Sequence, residues 1–179
     1  MAVADAMLDC FEDGLLRPGA NDVAERAGVS TRAVFRHFDN MEALLEQVSE
    51  LQVERVISQL PPLAFEGSRD ERVAALVARA TRGFELTAPV RRAALLHEPF
   101  SETIRSRHAW MRNEIRRGVR RTFENELAGL SDSERRDRTA ALRALLSFSF
   151  WEELRNHERL SLRSATRVLS DSIHALLRT

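Results

Sequence analysis

At 179 residues, with 30% charged and 44% apolar side chains, the chain can build one large domain or two small ones, and its composition excludes a disordered polymer. Formal charge is zero and all 27 basic residues are Arg, so any attraction to phosphate has to be local. No apolar run approaches the ~18 residues of a membrane span and no signal-peptide pattern opens the chain, which points to a cytoplasmic protein with no membrane partner.

The first predicted helix covers residues 2 to about 15 and stops near Gly14 and the Pro18-Gly19 pair. Val3, Ala6, Met7 and Phe11 lie at helical spacing around Cys10, so the single thiol reads as a buried core group rather than a redox sensor. Residues 20–27 form the second helix, with Val23, Ala24 and Ala27 on one stripe. Gly28 follows where a left-handed residue is wanted, Val29 returns the chain to the core, and Ser30 can cap a third helix over 31–37. In that helix Val34 faces inward, with Phe38 four residues on, while Thr31, Arg32, Ala33, Arg36 and His37 fall on other faces. This is a helix-turn-helix, a unit whose second helix enters the DNA major groove.

Asp39 with Glu42 three residues later suggests a capping box opening a fourth helix, which runs to about Leu60 and is ended by Pro61-Pro62. A loop over 61–69 precedes a fifth helix with Val73, Leu76, Val77, Ala80 and Phe84 on one face. Pro89 is read as opening a shorter sixth helix that Pro99 closes. The seventh, about 101–128, carries Ile104, Met111, Ile115, Val119 and Phe123, and Ser131 with Glu134 caps an eighth rich in Leu and Phe. The ninth spans about 161–178. No segment alternates with strand period, so the predicted fold is all-α with about nine helices.

Val23-Ala24, Ala27-Gly28-Val29-Ser30, Val34-Phe35-Arg36-His37-Phe38 and Glu42-Ala43-Leu44-Leu45, with an upstream helix ending in Phe11, together resemble the TetR (tetracycline-repressor-like) family of bacterial transcription factors. Sharp resemblance covers roughly the first quarter of the chain. It implies a three-helix DNA-binding domain at 1–45 and a helical effector-binding and dimerisation domain at 46–179. The implied protein is a DNA-binding transcriptional regulator, a ligand-responsive repressor that binds a palindromic operator in double-stranded DNA as a homodimer. A small-molecule effector would act on it, and no cofactor or metal is expected.

Candidate DNA-contacting residues are Arg17, Ser30, Thr31, Arg32, Ala33, Arg36 and His37. An Arg early in the recognition helix can bind guanine bidentately. Phe35 stands where the family commonly has Tyr; it cannot donate to phosphate, so core packing is the better reading for it. The family usually has Lys at Met41, Thr near Gly19, and a basic arm before the first helix. The residues before 46 are acidic, four Arg against eight Asp and Glu, and the chain opens almost inside its first helix. These departures point to a shortened N-terminus or to weaker binding. An alternative follows: a helical dimer that has lost DNA binding and acts through protein contacts.

The resemblance places an effector pocket among helices five, seven and eight, where Phe84, Trp110, Met111, Phe148 and Trp151 are candidates. It places the dimer interface on helices eight and nine, where Leu169, Ile173, Leu176 and Leu177 form an apolar seam. Packing on the chain's own core is the competing reading of that seam. Arg112, Arg116 and Arg120, with Arg117 and Arg121 beside them, form a basic stripe that suits an anion but equally a solvated face balanced by Glu114 and Glu124. No nucleophile–base pair, phosphate loop or carboxylate dyad supports an enzyme.

Overall fold

The computed structural model describes residues 2–178. It is 79% helical, with ten α-helices and no strand among the described residues. Packing divides the chain into two compact units, Met1–Gln59 with Leu86–Ala109, and Leu60–Glu85 with Trp110–Thr179. The first unit therefore runs past the expected boundary at 45/46 and recruits a later segment.

In the first unit lie α1 (Ala2–Glu12), α2 (Ala20–Ala27), α3 (Thr31–His37) and α4 (Met41–Ile57). The end of α5 (Arg69–His97), a 3₁₀ turn at Glu98–Phe100, and the start of α6 (Glu102–Thr122) complete it. Met7, Leu8, Phe11, Val23, Val34, Leu44 and Val48 share one core with Val90, Ala93 and Ile104, which is why 86–109 belongs with the N-terminal helices. Cys10 is buried, as its spacing foretold. α1 is shorter than expected because Gly14 adopts φ 88°, letting Gly14 N–H reach Phe11 O and Leu15 N–H reach Cys10 O. α4 stops at Ile57, where the Ser58 hydroxyl and Gln59 amide both donate to Arg55 O.

The second unit holds the start of α5, the end of α6, α7 (Glu124–Ala128), α8 (Asp132–Leu145), α9 (Phe148–Glu152), a π turn at Glu153–His157, and α10 (Leu162–Leu176). Its core gathers Val73, Val77, Val119, Phe123, Leu142 and Leu146 with residues of α10. Arg72 and Glu126 are both nearly buried and pair at 2.6 Å, and Arg72 also donates to Thr122 O. The guanidinium holds the Glu126 carboxyl below the usual carboxylate range.

Several sequence expectations are corrected. Pro89 does not open a new helix: α5 runs unbroken through it to His97. A proline inside a helix removes one hydrogen bond and costs ~3 kcal/mol, a deficit that burial of Ala88, Val90 and Ala93 around it can offset. The seventh predicted helix breaks at Phe123, whose fully buried ring sits on a non-helical residue (φ −116°, ψ 31°) between α6 and α7. The eighth breaks after Leu145; Ser147 turns extended and its hydroxyl accepts from Phe150 N–H to start α9. Hence the described residues form ten α-helices, against an expectation of about nine. The Ser131–Glu134 capping box is present in full at the start of α8.

The seam proposed for dimerisation is also corrected. Leu169, Ile173 and Leu177 are at most 1% exposed within their own chain and belong to the core of the second unit, with Leu176 packed partly against it. A single amphipathic stripe cannot tell a partner helix from the protomer's own interior, and here the interior takes it.

Candidate nucleic-acid interface

The α2–α3 unit is built from local rules. Gly28 has φ 67°, and its N–H and that of Val29 close onto Glu25 O and Ala24 O, turning the chain sharply out of α2. Ser30 is extended, and its hydroxyl accepts from Ala33 N–H at 3.2 Å, satisfying an orphan donor of α3. The Thr31 hydroxyl donates to Asn21 Oδ1 at 2.9 Å and ties the first turn of α3 to that of α2. At the other end of α2, Asp22 accepts from Gly19 N–H at 2.7 Å, so a glycine suffices at that cap. Val23, Ala24 and Val34 are buried between the helices and fix their crossing.

With Val34 inward, α3 turns its opposite face to solvent. Arg32, Arg36 and His37 are exposed, as is Arg17 in the segment before α2, while Thr31 and Ala33 are half-buried. Ser30 and Thr31 are engaged within the unit itself, so the free chemistry of the face lies with the arginines and the histidine. Arg26, on α2, is paired with Asp13.

Phe35 is not a core residue. It is 48% exposed and shares the outer face with Arg32 and Arg36. Its spacing, three residues after Arg32 and next to Arg36, carried that signal, since residues three and four apart share a helix face. Val29 is 39% exposed and likewise does not enter the core. Met41, where the family usually has Lys, packs partly on the core of the first unit.

The expected Asp39–Glu42 capping box does not form. Asn40 caps α4 instead, its side-chain oxygen accepting from Ala43 N–H. Glu42 accepts from the Ser101 hydroxyl at 2.6 Å and from Thr103 N–H at 3.3 Å, and these bonds hold its carboxyl below the usual range. Ser101 is buried and caps α6 through Ile104 N–H. Glu42 thus links the start of α4 to the start of α6, a contact no local pattern announces.

Residues 10–48 match the family described as bacterial regulatory proteins, tetR family. That match covers α2, α3 and their flanks, so the helix-turn-helix segment is similar to that family's. Over the whole chain, two solved structures share this fold. A transcriptional regulator from Rhodococcus sp. Rha1 superposes with a TM-score of 0.75 at 20% identity, covering 98% of this chain and 94% of that one. A candidate transcriptional regulator from Pseudomonas aeruginosa PAO1 gives 0.67 at 21%, covering 98% of this chain and 88% of that one. None of the curated proteins matches the chain.

In the second unit, three of the effector-pocket candidates meet. The Phe84 ring stacks on Trp151 at 5.6 Å and tilts against Phe148 at 6.3 Å, and all three are buried. Trp151 Nε1 donates to Glu85 Oε1 at 3.0 Å, and Arg155 pairs with the same carboxylate. Trp110 is 42% exposed and Met111 half-buried.

Proposed function

We propose that the protein is a cytoplasmic, sequence-specific DNA-binding transcriptional regulator, a ligand-responsive repressor acting as a homodimer on a near-palindromic operator. The observation that carries this reading is the face of α3, where Arg32, Phe35, Arg36 and His37 are exposed behind a Val34 anchored in the core. Arg32 is assigned a base-edge contact, Arg17, Arg36 and His37 contacts to phosphate, and Phe35 an apolar contact such as that with a thymine methyl. Ser30 and Thr31 shape the helix start, and Ala33 lets the backbone come close. The dimer is assigned to outward faces of α8 and α10, since the Leu169–Leu177 seam is occupied. A two-fold dimer would present two copies of α3 to half-sites a helical turn or more apart. A small molecule bound by the second unit would act only insofar as it prefers the state that does not bind DNA.

Selection of bound sequences from random duplex DNA at low salt tests the reading. Enrichment of palindromes supports it. Absence of enrichment would favour a helical protein that acts through protein contacts, a reading that gains some support from the acidic N-terminal sequence and from an apolar side chain at Met41.

A further inference from the structure

Between the end of α6, α7 and the first turn of α8, all within the second unit, lies an open groove of about 560 Å³. That volume falls within the range of small-molecule sites. Its walls carry Arg117, Arg120, Arg121 and Arg135 against one carboxylate, Glu124. The arrangement is braced. Arg135 donates from Nε to Leu127 O at 3.1 Å and from its terminal nitrogen to Leu130 O at 2.9 Å. The Arg121 guanidinium lies 3.9 Å from the centre of the Phe65 ring, and Arg117 pairs with Glu114 one turn back. Arg120 is exposed and makes no side-chain hydrogen bond or ion pair among the described residues.

Like charges three and four residues apart on a helix repel, and Arg117 stands so to both Arg120 and Arg121. A groove that gathers this repulsion around an uncommitted guanidinium is relieved by an anion. Guanidinium forks match the paired oxygens of phosphate and carboxylate groups. We infer that this groove is a binding site for a small multivalent oxyanion, with Arg120 as its principal donor, Arg117 as second, and Arg121 and Arg135 as fixed walls. The site stands on the groove alone and does not require that α3 bind DNA.

Calorimetric titration of the full chain with pyrophosphate and, separately, with citrate, at constant ionic strength in chloride, tests the site and distinguishes phosphate from carboxylate ligands. Saturable binding of at least one is expected, weakened about tenfold or more in Arg117→Ser/Arg120→Ser, with circular dichroism unchanged because both side chains are exposed. Arg120→Ser alone should show a smaller loss in the same direction. The control Arg82→Ser/Arg159→Ser removes equal charge from exposed positions of the second unit outside the groove lining and off α8 and α10, and should bind as the parent does. Lack of saturable binding by either probe, or equal losses in the groove and control variants, would overturn the site.

Discussion

Two side chains on α3 divide the work of reading DNA in the proposed function, and they can be separated experimentally. Arg32→Ala is expected to weaken binding to a selected operator by about 1–3 kcal/mol and to relax preference at one base pair, measured by fluorescence anisotropy over single-base operator variants. Equal loss on every sequence would make Arg32 a phosphate contact. In the same scan, replacing thymine by uracil should weaken the parent at one position and leave Phe35→Ala indifferent; a parent insensitive to every such replacement removes the methyl contact. In the second unit the decisive residues are Arg72 and Glu126. Removing one partner of a buried pair leaves an uncompensated charge, so Arg72→Met is expected to cost about 3–5 kcal/mol in denaturant unfolding. Because the Glu126 carboxyl lies below its unfolded value, its contribution is full above the unfolded value and is lost as pH falls through the folded one. The parent should therefore lose stability on acidification below the ordinary glutamate range, and Glu126→Gln should flatten that part of the profile.

At the level of elements, the turn between α2 and α3 has a cost that can be isolated. A Cβ at Gly28 would meet nothing within 4 Å, so only its left-handed backbone resists substitution. Gly28→Ala should lower stability by about 1–2 kcal/mol without disturbing the packing around Val23 and Val34, read from urea midpoints; a neutral substitution would mean that the turn relaxes. Such turns are legible because their causes lie within a few residues. The left-handed Gly28, the Ser30 cap and the Ser131–Glu134 box follow from neighbours three or four positions away, and α2 and α3 match their expected bounds. Elements shaped by distant partners were not legible. Glu42 looks like a capping residue until Ser101, 59 positions later, supplies a better donor. Pro89 looks like a boundary until one counts the buried residues that keep α5 continuous around it.

For the molecule as a whole, the same distinction separates interior from interface. The stripe on α10 was legible as apolar, but its partner was not, because burial in a core and burial against a second chain impose the same pattern. Ile173→Asp with Leu177→Asp now places two carboxylates in a closed core, and loss of helical circular dichroism is expected. A helical monomer would instead return those residues to a subunit interface. The outer face of α3 is half legible: its charges stand out in the sequence, but the apolar ring of Phe35 reads as core until its register with Arg32, three residues before it, is taken into account. The buried Cys10 gives the fold a clock. Burial pushes its thiol above the usual range, so in the native state it is both shielded and short of thiolate. Alkylation can then proceed only when the first unit opens, and the labelling rate at a fixed reagent concentration counts those openings. An operator duplex that binds the first unit should slow the clock in proportion to its occupancy, whereas an oxyanion held by the second unit alone would leave the rate unchanged.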